Sequence, residues 1–484
     1  MSEIKNLEPK AVWKNFDLIC SIPHPSKKEA KIVEAMVDFA KKNKLDYTID
    51  KVGNVIIRKP ASKGMEKKKG VILQAHLDMV PQKNADTKHN FEKDAIQPWI
   101  DKGWVRAKGT TLGADNGMGV AAAMAVLENK SLKHGHVEAL FTIDEETGMT
   151  GAFGLEAGLL KGDILLNLDS ETEGELYVGC AGGIDGTFIF DYKKETTPVG
   201  LSAFALNITG LKGGHSGMDI ILGRGNANKI LFRLFKALES LGLRISEING
   251  GSLRNAIPRE AFSTIAIPTS KVAKAKKTIE TLTIEIKNEL ALVEPSLEIK
   301  FNATALGKNV IDLDTQKRLI AAVYACPNGV MRMSDSMKNL VETSTNLAIV
   351  KSDDKTIKIS CLLRSSVDSA KMDLAQMMQN VFELAKAKCN FTGAYPGWKP
   401  NMKSPILKTM QTTYKSLYGK TPKIMAIHAG LECGLLGGVY PSWDMISFGP
   451  TIMNPHSPDE RVNIASVEKF WNYLLETLKN IPNK

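Results

Sequence analysis

His76, Asp115, Glu145, Glu146, Asp169 and His456 are residues whose types and placement suit metal chemistry. His76 closes the run 71–75, apolar except for Gln74, and Glu145 and Glu146 follow a second, mostly apolar run at 137–143 that includes Glu138. Asp169 follows a third at 163–168. Asp115 sits in the loop Gly113-Ala114-Asp115-Asn116-Gly117, and His456 follows a late strand and its loop. Ligands of α/β sheets gather at the carboxyl ends of strands. Neutral imidazole and carboxylate are ligands for zinc and similar divalent ions. Five such groups at strand ends are enough for two ions. Asp115, Glu146 and Asp169 supply three negative charges, and a shared hydroxide supplies a fourth, so two divalent ions leave the site near neutral and less costly to bury. Metal binding lowers the pKa of water to about 7 in favourable zinc sites, and two ions about 3.5–4 Å apart share that hydroxide while polarising a carbonyl. Glu145 and Glu146 diverge if both are extended, so one can hold metal while the other faces the water.

The elements that must position these groups are legible in the apolar spacing. Residues 10–22 and 27–42 predict helices, and 48–57 a hairpin around Val52-Gly53-Asn54. Residues 71–75, 137–143 and 163–168 predict buried strands, and 118–127 an apolar helix. Strands alternating with helices imply an α/β domain with a mixed, mostly parallel sheet flanked by helices. The pattern changes near Cys180. Strands at 187–192, 202–209 and 356–364, with helices at 226–241 and 272–292, predict an inserted α+β domain, and 394–398 a return linker. The last ninety or so residues resume α/β character, with strands at 423–427 and 445–448 and a helix at 466–478. The expected division is 1–184 with 395–484 as the catalytic domain and 185–394 as the insertion. No internal repeat stands out.

Six segments carry a family resemblance: Ala75-His76-Leu77-Asp78-Met79-Val80, Thr111-Leu112-Gly113-Ala114-Asp115-Asn116-Gly117, Thr142-Ile143-Asp144-Glu145-Glu146-Thr147-Gly148, Asn167-Leu168-Asp169-Ser170-Glu171, Gly213-Gly214-His215-Ser216-Gly217 and Asn454-Pro455-His456-Ser457-Pro458. Each is weak alone; in this order they make the chain resemble the co-catalytic zinc exopeptidases, the family of carnosinases, aminoacylases and peptidase T, and within it the aminoacyl-histidine dipeptidases. The resemblance covers essentially the whole chain. It implies that His76 and Asp169 hold one metal, Glu146 and His456 the other, and that Asp115 bridges them, with a cis bond at Asp115-Asn116. It makes Glu145 the general base and Asp78 the acceptor of the second His76 proton, a bond that fixes the ring and raises its basicity; a plain cap is the alternative for Asp78. It makes the insertion a lid through which the protein dimerises, and His215 an oxyanion donor from its own chain or a partner. Asn255 and Arg364 become substrate contacts, Arg364 suiting a terminal carboxylate as a bidentate partner. The segment Ile427-His428-Ala429-Gly430-Leu431-Glu432-Cys433-Gly434 matches the aminoacyl-histidine branch. There Gly430 lets backbone meet substrate and Glu432 meets the substrate amine, with a structural role as its alternative, while His428 is structural or supports the site. The implied reaction is hydrolysis of dipeptides, Xaa-His among them, with two divalent ions. Zinc is favoured by the ligand types, and cobalt or manganese also occupy such sites.

Composition sets bounds on rival readings. The chain is 43% apolar and 24% charged, as soluble globular proteins are. No apolar run is long enough for a membrane span. The N-terminus is charged throughout, so no signal peptide and a cytoplasmic location are expected. The six cysteines form no CxxC pair and read as buried reduced thiols. The net charge of +10 comes from dispersed lysines with no basic-aromatic motif, which argues against nucleic acid. An aminoacylase, another deacylase or a tripeptidase would use the same metals and base. A non-catalytic metal-dependent binding protein would not need Glu145 beside Glu146. His24, His89, His134 and His136 lack a ligand partner at suitable spacing and read as surface or loop residues.

Overall fold

The structure, a computed structural model, describes residues 2–484. It forms two compact units. One holds the chain up to Gly179 with Pro400–Ala426 and Leu431–Lys484; the other holds Cys180–Lys399 with Ile427–Gly430. The expected boundaries at 184/185 and 394/395 both fall inside the second unit, because Gly182–Asp191 and Lys388–Tyr395 are strands of its sheet. Gly430 also lies with that unit. Ala181 N–H bonds to the carbonyls of Ile427 and Ala429, and His428 Nε2 lies 2.7 Å from the Ser344 hydroxyl.

The first unit is built on an eight-stranded mixed sheet. Its centre is β1 (Val71–His76), β2 (Val137–Thr142), β3 (Ile164–Asn167) and β4 (Asp444–Ser447), in the spatial order β2-β1-β3-β4 and all parallel. Every residue of β1, β2 and β3 is buried, as expected of strands covered on both faces. The flanks are antiparallel: the hairpin Asp46–Ile49 with Val55–Lys59 beside β2, and Glu175–Cys180 beside β4. Helix α1 (Ala114–Glu128) is apolar on all sides, and residues 117–127 are all buried. Its first turn departs from helical geometry at Asp115 and Asn116, which are joined by a cis peptide bond. Gly119 permits a close approach to the end of β3: a Cβ there would stand 2.7 Å from the Leu168 carbonyl oxygen. A second, four-stranded sheet pairs Ile452–Met453 with Arg461–Asn463 and so holds the loop bearing His456.

The second unit holds a nine-stranded sheet whose pairings are antiparallel. It contains a repeat that the sequence conceals. Strand Leu201–Thr209, helix Ala227–Leu238, strands Arg244–Gly250 and Ala261–Pro268, helix Val272–Glu289 and strand Glu298–Ala303 make one β-α-β-β-α-β module. Strand Gly182–Asp191, helix Leu313–Ala325, strands Val341–Ser352 and Thr356–Ser365, helix Asp368–Leu384 and strand Lys388–Tyr395 make another. Each module has spatial strand order 4-1-3-2, and the two join through their second strands, Asn249 opposite Lys351 and Gly250 opposite Val350. Equivalent strands paired antiparallel imply a local two-fold axis, about which the first helices of both modules pack together. The repeat escapes a linear reading because one module is inserted between the first strand and first helix of the other.

His24 and His134 lie in loops, as the surface-or-loop reading allows, but both are buried, bonded through Nδ1 to the Ile22 and Gly135 carbonyls. All six cysteines are free, five of them buried.

Candidate metal centre

Because β1, β2 and β3 run parallel, the segments that leave their carboxyl ends start from one edge of the sheet. His76 ends β1, Glu145 and Glu146 follow β2, and Asp169 follows β3. His76 Nε2 lies 3.2 Å from Asp115 Oδ1 and 3.3 Å from Asp169 Oδ1. His456 Nε2 lies 2.9 Å from Glu146 Oε2 and 3.3 Å from Asp115 Oδ2. Asp115 thus turns one carboxylate oxygen to each imidazole. The five residues form two clusters, His76–Asp115–Asp169 and Asp115–Glu146–His456, with ligand atoms within 4.8 Å of one another in each.

The donor set fits cations. His76 Nδ1 lies 3.0 Å from the Asp78 carbonyl oxygen and 3.3 Å from its carboxylate, so the neutral ring carries its proton there. Its Nε2 lone pair then points at two carboxylate oxygens, an arrangement that repels unless a metal cation or a second ring proton lies between. Asp169 Oδ1 is buried without a hydrogen-bond partner among the described residues, which is costly unless something positive meets it. The imidazoles register the same field. Burial opposes charging of His76, yet Asp169 and Asp115 push its pKa well up. Bonds to Asp115 and Glu146 push His456 up to about 11.

Glu145 and Glu146 are not extended. They open a one-turn helix, Glu145–Gly148, so their side chains diverge by about 100° of helical rotation rather than by strand alternation. Asp78 caps this turn: Oδ1 accepts Glu145 N–H at 2.9 Å, and Oδ2 accepts Glu146 N–H at 3.2 Å and the Ser26 hydroxyl at 2.7 Å. The Asp78 carboxylate thus caps the turn and lies 3.3 Å from His76 Nδ1, whose shorter contact is with the Asp78 backbone carbonyl. Burial, with Glu432, Glu146 and Asp115 adding and His76 opposing, pushes Glu145 up to about 8. Glu432 is wholly buried and accepts from Gln74 Nε2 at 2.6 Å and the Thr142 hydroxyl at 2.9 Å; its Oε1 has no partner among the described residues.

The remaining predicted residues lie in the second unit. His215 Nδ1 accepts the N–H groups of Gly217 and Met218 at 3.2 and 3.0 Å. The neutral ring therefore carries its proton on Nε2. Burial and then the Arg364 charge lower the pKa of His215, which favours that neutral form. Arg364 is buried, donates to the Tyr395 hydroxyl at 3.2 Å, and has no carboxylate partner among the described residues. Asn255 is exposed, and its carbonyl accepts Ser216 N–H.

The model of peptidase family M20/M25/M40 matches residues 72–480. The chain belongs to this family. It is 51% identical to the cytosol non-specific dipeptidase of Escherichia coli strain K12, over the full length of both. The crystal structure of aminoacylhistidine dipeptidase from Vibrio alginolyticus is 53% identical, with a TM-score of 0.97 over 100% of this chain and 99% of that one. Aminopeptidase PepT from Bacillus cereus shares the fold at 16% identity and a TM-score of 0.58, over 98% and 99% of the two chains.

Within this M20 chain, sequence reasoning missed Glu460. Its buried carboxylate accepts four successive backbone N–H groups, from Leu112, Gly113, Ala114 and Asp115 at 2.7, 3.0, 2.7 and 3.2 Å. Burial, with Asp115 adding, pushes it up to about 7. The available signal was an acidic residue four positions after His456, which spacing alone does not separate from a surface charge. Glu171, two residues after Asp169, is a second such residue. Burial and the charges of Asp115 and Asp169 push it up to about 8.

Proposed function

We propose that this M20 peptidase is a dipeptidase that uses two divalent ions, with Xaa-His peptides among a broader set of substrates. The observation that carries the reading is Asp115, whose two oxygens face separate histidine–carboxylate clusters. His76 and Asp169 would hold one ion, Glu146 and His456 the other, and Asp115 would bridge them. Imidazole and carboxylate donors suit zinc. Such a pair, when bound, supplies acidified water and a polarised carbonyl. Glu145 takes a proton from the attacking water and returns it to the leaving amine, serving as base and then acid. A raised pKa, in the direction that burial gives, suits that exchange. His215 offers Nε2–H to the developing oxyanion, and Arg364, which has no carboxylate partner among the described residues, takes the terminal carboxylate. Asn255 and Gly430 complete substrate contact. Glu432 lies behind Gln74 and Thr142, a placement that favours support of the site over direct contact with the substrate amine.

The similarity to a cytosol dipeptidase supports a cytoplasmic setting, and no helix among the described residues is long and apolar enough to cross a membrane. A homodimer through the second unit is the expected assembly. The open edge strand Glu298–Ala303 and the neighbouring exposed Ile284 support it; light scattering in solution tests it. The function is tested by a panel of dipeptides, tripeptides and N-acyl amino acids, before chelation, after it, and with zinc, cobalt or manganese restored. Dipeptides should be cleaved fastest, and only with metal. Preference for N-acyl amino acids would favour a deacylase, and turnover indifferent to chelation would overturn the reading.

A further inference from the structure

The second unit contains a cleft of about 460 Å3 lined wholly by its own residues. Three cationic side chains line it, Lys212, Arg259 and Lys351, against one acidic residue, Glu260. All four are exposed, and none makes an ion pair or a side-chain hydrogen bond among the described residues. Three unpaired cations around one concavity repel each other and leave a surplus of two positive charges. An anion of matching charge relieves both.

The local structure fixes these groups on separate supports. Lys212 precedes the short strand Gly214–His215, and Arg259 follows its partner Ala256–Ile257. The Arg259 stem runs along Gly213: a Cβ there would stand 3.2 Å from Arg259 Cβ. Lys351 comes from the junction of the two modules, opposite Asn249, which is in turn opposite Phe262. Asn249, Phe262 and Lys351 line the cleft from the sheet, and Lys212 and Arg259 line it from one end of the two-stranded ladder.

We propose that this cleft binds a compact doubly charged anion, free phosphate or a small phosphate ester. Such an anion would bridge Lys212 and Arg259, which flank the ladder pairing His215 with Ala256. Its occupancy would steady the strand that carries His215. That consequence for the reaction rests on the oxyanion role given to His215 above; the binding does not.

The test uses the full-length, metal-loaded protein in phosphate-free buffer at low ionic strength. Calorimetric titration with inorganic phosphate should show a site that Lys212→Glu and Lys351→Glu each weaken about tenfold or more, the loss of one charge-assisted contact. Titration with glycerol phosphate distinguishes the ester from the free ion. Basal dipeptide hydrolysis should be unchanged in Lys351→Glu, which also shows that the variant folds. Phosphate held by the metals would bind both variants as it binds the parent; if all phosphate binding behaves that way, the proposal is overturned. Hydrogen exchange at residues 213–217 and 255–257 should slow with phosphate in the parent and not in Lys351→Glu. Unchanged exchange despite binding at the cleft overturns the link to His215. Normal turnover of His215→Ala would instead remove the oxyanion reading and leave the binding site standing.

Discussion

Glu460 accepts the backbone N–H of Asp115 at 3.2 Å, and with it the three N–H groups that precede Asp115 in the chain. One carboxylate thereby fixes the loop that presents the residue shared by both clusters. Removing it leaves buried donors unmet, at about 1–3 kcal/mol for each group that finds no water. Glu460→Gln keeps the shape but has one carbonyl oxygen for four donors. It should unfold at lower temperature and bind metal more weakly, with Glu460→Ala worse on both counts. Thermal unfolding and metal titration measure this; parental metal affinity in both variants would refute the positioning role.

Glu145 separates metal binding from proton transfer. Its backbone N–H is tied to Asp78, while its side chain is the one proposed as base. Glu145→Gln should keep both metals and lose about 10²–10⁴ in kcat. Elemental analysis of the purified variant beside its kinetics decides the matter. Loss of metal together with turnover would make Glu145 a ligand instead.

Three of the proposed ligands were legible because each stands where a mostly apolar run stops. His76, Glu146 and Asp169 carry that signal in local sequence, and β1, β2 and β3 are buried throughout. Glu460 carries no such signal. Its partners lie more than three hundred residues away in the chain, and only the fold brings them together. The short helix at Glu145 was hidden for a related reason. Its cap is not the residue before it, Asp144, but Asp78, delivered by another strand. The repeat in the second unit was illegible because it is topological: two modules share an order of elements, and one interrupts the other.

His215 should act as a neutral donor. With Nδ1 committed to two backbone N–H groups, only Nε2 can donate. His215→Ala should lower kcat about 10²–10³-fold, the range for loss of one oxyanion donor, with a smaller change in KM. Because its pKa is lowered, no loss of activity traceable to His215 should appear as pH rises from 7 to 8. A large rise in KM with kcat intact would assign it to ground-state binding.

Arg364 should read the free carboxyl end of the substrate. It is buried without a carboxylate partner among the described residues, so its charge is available to a ligand. The parent should prefer a dipeptide over its C-terminal amide. In Arg364→Ala the free dipeptide should lose activity and the amide much less, so the preference collapses. If both substrates fall in equal proportion, Arg364 supports the fold and not recognition.

His428 predicts a pH dependence of stability. Burial, with the charges of Arg364 and His215 adding, holds its pKa down to about 3, whereas an unfolded histidine titrates near 6.5. Between those values the unfolded chain binds the extra proton and the folded one does not. Stability therefore falls as pH drops below about 6.5, by up to about 1.4 kcal/mol per pH unit from this group until the folded pKa is reached. Above 6.5 the group contributes no slope. His428→Gln keeps a side chain able to bond to Ser344, which lies 2.7 Å from Nε2, but does not titrate. Unfolding midpoints of the two proteins should differ by a constant amount above pH 7, and the variant should gain on the parent at every step from pH 6.5 to 4. Other acid-sensitive groups act on both proteins alike, so it is the difference that carries the test; parallel curves over that range would mean that His428 charges freely in the folded state.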